Sequence, residues 1–435
     1  MGKASMGKKI KKTTTYAPEK PTESAAVPSM NLLVESLRKP FVPLVLIALL
    51  GILAYSNTFN APFQWDEQKF IVNNPIVKDL VYFIEPSTAE NLELYPALKG
   101  RYVGYLTFAL NFKIHGLDVR GYHVVNILIH IINSLLVYFL VLLTFRTPYL
   151  NNPLFLNNPP SPPLAKGGLS EGNLIALFSA LLFVSHPIQT EAVTYIFQRL
   201  ASLCAFFYLL SLLLYIKSRL TEKNTRYAFY ALSLLSAVLA MKTKENAFTL
   251  PLVITLYEFF FFKGSIKSRA LRLVPILLTM LIIPLSLIGI DKPVGEIISG
   301  IGTATEGYQG ISRWDYFLTQ FRVIVTYIRL LFLPINQNID YDYPVFHSFF
   351  DLGVLLSFFF LLSVFGSAVY LFYHSKNNPS FRLISFGVFW FFITLSVESS
   401  IIPIPMVINE YRLYLPSFGA FAAAAGGALI LLKGL

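Results

Sequence analysis

The stretch VPLVLIALLGILAYSNTFNAPFQWDEQKF (residues 42–70) opens on fifteen residues without a charge and runs into the adjacent acids Asp66 and Glu67. A run of this kind can form a membrane helix. Residues 1–41 before it are polar and rich in Pro and Thr, with Lys8, Lys9, Lys11 and Lys12 clustered. No small-residue cleavage site follows the run. The combination predicts an uncleaved signal-anchor helix behind a disordered, basic cytoplasmic tail. It leaves a question: why do Trp65, Asp66 and Glu67 stand together where the chain leaves the bilayer?

Composition extends the membrane reading to the remaining chain. Of 435 residues, 55% are hydrophobic and only 14% charged, against about a quarter charged in an average soluble domain. Phe (39) and Tyr (24) are abundant, which suits lipid contact and interfacial belts. The apolar segments are continuous rather than alternating, which argues against a β-barrel. The expected fold class is therefore all-α and polytopic. Spans are expected at 42–57, 122–146, 173–186, 200–217, 227–241, 246–262, 272–290, 349–373, 381–400 and 412–432, ten in number. The stretches 102–116 and 317–334 are apolar but carry Lys113, Arg322 and Arg329. They read as helices lying at the membrane surface, where basic side chains reach water. Cys204, the single cysteine, cannot form an internal disulfide.

Charge orients this topology. With the N-terminus in the cytoplasm, most of the 35 Lys and Arg fall in the inner segments 1–41, 146–172, 217–226, 263–272, 374–382 and 433–435. Most of the 24 acids fall on the other side. Basic residues decide orientation, so topology accounts for the net charge of +11 and no nucleic-acid partner is implied. The inner segment 147–172 is rich in Pro, Gly and Asn and reads as a flexible insert.

The polar groups that are expensive in a membrane collect at the outer ends of the spans. They are Asp66 and Glu67, His186 and Glu191, Lys242, Lys244 and Glu245, then Glu398, Glu410 and Arg412. Only 12 residues run from Leu174 to Ser185 and 15 from Tyr227 to Met241. These make helices of about 18 and 22 Å in a hydrocarbon core of about 30 Å. The segments SHPIQTEAV and MKTKENAF should then begin below the outer surface, inside a recessed polar cavity. Lys242 and Lys244 break the positive-inside pattern. They are either snorkelling side chains paired with Glu245 or ligands for a phosphate or pyrophosphate. Asp66 and Glu67 are either solvated acids or a general base or metal site. His186 suits a helix cap, Arg199 a partner of Glu191, and Arg101 an interface anchor. No Walker-type loop, GxGxxG, HExxH or paired CxxC occurs, so a donor would reach the protein from the bilayer.

Six stretches carry a resemblance: FQWDEQKFIVNNP, GRYVGYLTFALNFKIHGLDVRGYHVVNILIHIINSLLVY, HPIQTEAVTYIFQR, MKTKENAFTLPLVI, LPINQNIDYDYP and NEYRLYLPS. With a carboxylate pair in the first outer loop, the chain resembles the GT-C glycosyltransferases. The nearer likeness is to the membrane region of the transmembrane and tetratricopeptide-repeat O-mannosyltransferases and their bacterial relatives. The likeness runs from about residue 42 to 432. Relatives carry tetratricopeptide repeats after the last span, whereas this sequence stops at LLKGL; two arrangements stay open for acceptor recognition, the chain alone or beside a separate repeat-containing protein.

The resemblance implies a GT-C domain over 42–435, with 147–172 as its cytoplasmic insert. It implies inverting transfer of a hexose such as mannose, from a polyprenyl phosphate to a hydroxyl of an exported protein or glycan, on the outer or lumenal face. Asp66 matches the catalytic acid position, with Glu67 tuning it. Lys244 and Arg412, supported by Lys242 and Arg199, would hold the donor phosphate. His186, Glu191, Glu245, Arg101 and Glu410 would shape the cavity or orient the acceptor. No metal ligand set is evident in the sequence, and the polyprenyl-phosphate sugar is a substrate rather than a cofactor. Two other classes fit the same polar cavity: a flippase or transporter of lipid-linked sugar, and a non-catalytic membrane scaffold. A transporter would be expected to show repeated halves, which the sequence lacks.

Overall fold

The uncharged run at 42–56 folds as helix α1, Phe41–Ala54. Pro43 lies in its first turn, where no N–H partner is lost. The computed structural model describes residues 39–151, 170–288, 311–376, 378–404 and 406–434, together with residues 1, 2 and 37. The expected basic tail and most of the 147–172 insert lie outside the described residues, as does the end of the span expected at 272–290. Among the described residues all regular structure is helical.

Helices of twelve or more residues are labelled in chain order. After α1 come α2 (Tyr102–His115), α3 (Val119–Thr144), α4 (Glu171–Ser185), α5 (Arg199–Leu220) and α6 (Thr225–Met241). These are followed by α7 (Leu250–Phe261), α8 (Ile266–Leu278), α9 (Arg313–Phe332), α10 (Leu352–His374), α11 (Pro379–Leu395) and α12 (Pro416–Gly434). Their starts follow from local chemistry. The side chains of Asp118, Ser170, Ser265, Ser312, Asp351 and Asn378 each accept a hydrogen bond from a backbone N–H in the first turn that follows. Each satisfies a donor that the helix itself leaves orphaned.

Helix α3 is the central element. Tyr122, Asn126, His130, Asn133, Val137, Leu140 and Thr144 are buried along it at helical spacing. Among the polar ones, Asn126, His130 and Asn133 are each bonded to a neighbouring element. Asn126 Nδ2 donates to the Val193 carbonyl at 3.1 Å. His130 lies 2.7 Å from the Tyr414 hydroxyl and 3.1 Å from the Val184 carbonyl. Asn133 Nδ2 donates to the Ser202 carbonyl at 2.8 Å. Buried polar groups are costly when orphaned, so these bonds fix how α4, α5 and the start of α12 sit around α3. Helices α11 and α12 approach closely through Gly387 and Gly419. A Cβ on Gly419 would fall 2.4 Å from the Gly387 carbonyl oxygen.

The helix positions match the expected spans closely, but their lengths do not support a count of ten. By length and composition four helices can cross a membrane: α3, α5 with its preceding turn, α8 with its continuation to Ser286, and α10. A fifth arises if α4 and Pro187–Thr194, bent by 53°, are one broken span. Helices α1, α6, α11 and α12 are apolar too, but their apolar lengths fall below 18 residues. The stretches expected at the surface are helical, as α2 and α9. One face of α9 packs inward: the Tyr316 hydroxyl donates to the Glu398 carbonyl, Gln320 to Val407, and Tyr327 to Asn409.

The two ends of the bundle differ chemically. At one end Glu258 takes Arg219 at 2.9 Å and Arg269 at 3.9 Å, and Arg382 stacks on Tyr149. The other end gathers the turns after α1, α4, α6 and α11.

Candidate active site

Asp66 sits on a tight turn between α1 and the short helices that follow. Trp65 before it has φ +49°, a left-handed conformation that non-glycine residues rarely adopt. That geometry splits the two acids. Asp66 is exposed, and its backbone N–H donates to the Tyr195 hydroxyl at 3.2 Å. Glu67 is buried at 1% exposure. Its Oε2 accepts from the Gln64 N–H at 2.8 Å and its Oε1 from the Phe197 N–H at 3.1 Å. Burial pushes the Glu67 carboxyl up to about 7, against the pull of these N–H groups. Burial, with Asp66 and Glu67 beside it, likewise raises the Tyr195 phenol above its ordinary value. Asp66 therefore faces outward with its acid group accessible, while Glu67 pins the turn onto the segment that begins α5.

Sharp turns deliver the second wall. Helix α6 ends at Met241, and Lys242 to Lys244 lead into the 3₁₀ turn Glu245–Thr249. Lys244 is 7% exposed, with Nζ 2.8 Å from Glu398 Oε1 and 4.3 Å from the Tyr411 ring centre. Burial opposes its charge, but Glu398 outweighs that and holds the ammonium above its ordinary pKa. Arg101, at the N-terminus of α2, reaches Glu245 with two bonds of 2.9 and 3.0 Å. This bidentate geometry ties α2 to the turn after α6.

The 396–415 segment forms the floor. Glu191 Oε2 accepts from the Tyr411 N–H at 2.8 Å and interacts electrostatically with Glu410 and Lys244. Glu410 is buried and accepts from the Asn338 N–H at 2.8 Å, and from Gln337 and Tyr341. It fixes the long loop after α9 against the site. A line of electrostatic contacts joins both walls: Tyr105 interacts with Asp66, Arg101 and Glu245, and Arg101 with Tyr411. The buried Tyr105 hydroxyl has no hydrogen-bond partner among the described residues.

The sequence-expected residues thus fall into two groups. Asp66, Glu67, Arg101, Lys244, Glu245, Glu191 and Glu410 belong to this connected set. The others make their hydrogen bonds outside it, although Arg412 interacts electrostatically with Tyr411 and Glu398. Arg199 is fully buried, donating to Asn126 Oδ1 at 2.6 Å, Tyr122 O at 3.0 Å and Thr107 O at 3.3 Å, rather than pairing with Glu191. Arg412 is buried and donates to the carbonyls of Met406, Val407 and Glu398. His186 ends α4, with Nδ1 accepting from the Ile188 N–H at 3.2 Å and its ring against Phe421. Lys242 reaches Ser286 Oγ at 2.6 Å. Tyr195, Tyr105 and Tyr411 went unnoticed in the sequence among 24 tyrosines. Position supplied a signal for two of them: Tyr195 lies one turn past Glu191, and Tyr411 between Glu410 and Arg412.

Among the described residues no three His, Cys, Asp or Glu side chains gather as a metal-ligand set. No protein-family model matches the chain. Curated proteins do. The Caenorhabditis elegans protein O-mannosyl-transferase F38B6.6 is 29% identical over 242 residues, covering 54% of this chain and 31% of that protein. Drosophila melanogaster protein O-mannosyl-transferase Tmtc3 is 32% identical over 36% of this chain and 17% of its own length. Human protein O-mannosyl-transferase TMTC4 is 29% identical over 50% of this chain and 29% of its own. The resemblance met in the sequence is thus one to animal protein O-mannosyl-transferases, over at most about half of this chain and less than a third of theirs.

Proposed function

We propose that this chain is a membrane glycosyltransferase. It moves a hexose such as mannose from a polyprenyl phosphate to a hydroxyl of an exported protein, with inversion, at the outer end of the bundle. The observation that carries the reading is Asp66: an exposed carboxylate on a strained turn, at the edge of a cluster of buried and half-buried ion pairs, in a chain similar to protein O-mannosyl-transferases.

In the proposed reaction the Asp66 carboxylate accepts the proton of the acceptor hydroxyl. That oxygen forms a bond to the anomeric carbon. The bond from that carbon to the phosphate oxygen breaks on the opposite face, and its electron pair leaves with polyprenyl phosphate. Cations near the departing oxygen stabilise the growing charge. Lys244, with Arg412, Lys242 and Arg199 behind it, contributes a positive field. Glu67, Arg101, Glu245, Glu191, Glu410 and His186 hold the turns in register. The proposed orientation puts the N-terminus in the cytoplasm.

Asp66→Asn tests the assignment. Transfer of labelled sugar in membranes should fall by about 10²-fold or more, with the variant present at wild-type levels. Full retained transfer would refute the base. A flippase would instead move lipid-linked sugar across vesicles without transferring it.

A further inference from the structure

At the Glu258 end of the bundle the cations differ in what surrounds them. Arg219 and Arg269 share the buried Glu258 carboxylate. Arg382, in the first turn of α11, is 9% exposed and has no carboxylate partner among the described residues. Its Nε donates to Ser375 Oγ at 3.1 Å and its Nη1 to the Phe260 carbonyl. Its guanidinium lies 4.0 Å from the Tyr149 ring centre and 5.2 Å from that of Phe372. All of these partners are neutral, so none cancels the charge. Lys263, between α7 and α8, is exposed and likewise has no carboxylate partner among the described residues. Its Nζ lies 5.3 Å from the centre of the same Tyr149 ring. Two cations thus share one ring, where the chain leaving α3 and the ends of α7 and α10 meet the start of α11.

Like charges at one ring repel, and Arg382 has left water without a counter-ion, so the pair is unfavourable until an anion enters. The chain nearby does not provide one: no Asp or Glu occurs in residues 145–170, 259–290 or 372–397. Packing alone does not call for this arrangement. Arg199 also lacks a carboxylate, but it is wholly enclosed, and among the described residues no second cation lies on either of its rings, Phe108 and Tyr122. The planar guanidinium matches two phosphate oxygens and the ammonium adds a point charge. The surroundings are those of a membrane boundary. Tyr370 and Tyr373 are exposed at the end of α10, as interfacial aromatics are, and Ile266, one turn from Lys263, is 78% exposed. A basic pocket between helices at such a boundary suits an anionic headgroup, whose first acyl carbons would cover apolar surface of this kind.

We propose that Arg382 and Lys263 hold the phosphodiester of an anionic phospholipid, in the leaflet at the Glu258 end of the bundle. This site is separate from the candidate active site and does not depend on the glycosyltransferase reading. Titration of the full chain, delipidated in detergent, with fluorescent phosphatidylglycerol tests it. Wild type should bind this lipid at least about tenfold more tightly than the matching phosphatidylcholine. Lys263 is exposed, so changing it spares the packing around Arg382. Lys263→Gln should weaken binding by about fivefold or more and Lys263→Glu further, whereas Lys263→Arg should stay within about twofold. Arg382→Lys keeps the charge but loses the planar fork, and should weaken binding by about threefold or more. Lys223→Gln removes another exposed cation from the same end and should leave binding unchanged. Matching elution profiles and unfolding midpoints separate lost binding from lost folding. Unchanged binding in Lys263→Gln or in Arg382→Lys overturns the proposal. So does an equal loss in Lys223→Gln, which would mark unspecific attraction to a basic surface. Equal affinity for phosphatidylcholine would show that the headgroup charge is not read. Displacement of the lipid by an equal concentration of inorganic phosphate would mark a free-phosphate site instead, and would equally refute the lipid.

Discussion

Glu67 accepts two backbone N–H groups in a buried turn, one residue from an Asp66 carboxylate open to solvent. Its folded pKa of about 7 exceeds the ordinary 4.5. A raised carboxyl contributes stability that is complete below about pH 4.5 and lost as pH climbs through 7. By pH 8 the loss is of the order of 3 kcal/mol. Glu67→Gln removes the titration and keeps an acceptor. The thermal midpoint of the variant in detergent should therefore gain on wild type between pH 5 and pH 8. A gap that stays constant with pH would contradict the buried-acid assignment. The sequence points to the pair but not to which acid is buried, since that depends on the Phe197 N–H, 130 residues away. The backbone partners of Arg199 and Arg412 were hidden for a similar reason. A guanidinium looks the same in sequence whether it meets a ligand or the carbonyls of its own chain.

Between elements, close contact is set by small residues. Gly387 and Gly419 let α11 and α12 touch backbone to backbone, whereas Gly366 in α10 faces open space. The same chemical change should therefore have opposite signs. Gly419→Ala should cost about 2 kcal/mol or more by forcing the helices apart. Gly366→Ala should stabilise by up to about 1 kcal/mol through helix propensity alone. Unfolding midpoints of the two variants decide this, and equal shifts would mean that the helices are not packed through Gly419. Helix existence was legible because capping residues and apolar runs are local. Pairings such as Lys244 with Glu398 and Glu191 with the Tyr411 N–H were not, because they join segments more than 150 residues apart. Helix α9 was read as a surface element from Arg322 and Arg329. Its inward bonds through Tyr316, Gln320 and Tyr327 follow another stripe of the same helix.

At the scale of the molecule, the basic network around Glu258 and the acid–base cluster around Lys244 occupy opposite ends of the bundle. On the positive-inside pattern the first is expected in the cytoplasm. Cys204 is buried and the single cysteine, so Cys204→Ala gives a clean background. On it, Glu93→Cys should react with a membrane-impermeant maleimide added to intact cells, and Lys223→Cys should react only after lysis. Both positions are exposed. The reverse pattern would invert the topology and move the proposed chemistry to the inner face. That the fold is helical and built for a membrane could be read from composition. The number of crossings could not, because four apolar helices are shorter than a bilayer is thick.

Those short helices make the protein a poor match for a thick membrane. Helices α1, α4 and α6 have 14, 15 and 17 residues, or about 21 to 26 Å, and they surround the turns that carry Asp66, Glu191 and Lys244. Lipid around them must compress or tilt, at a fraction of a kcal/mol per Å of mismatch. On the proposed reading the acceptor hydroxyl would gain from this, because water and peptide would stand closer to the bilayer centre on that flank. Reconstituted into vesicles of lengthening acyl chain, the chain should transfer sugar ever more slowly as the hydrocarbon grows past about 30 Å. A rate indifferent to lipid length would show that the short helices are screened from lipid by their neighbours.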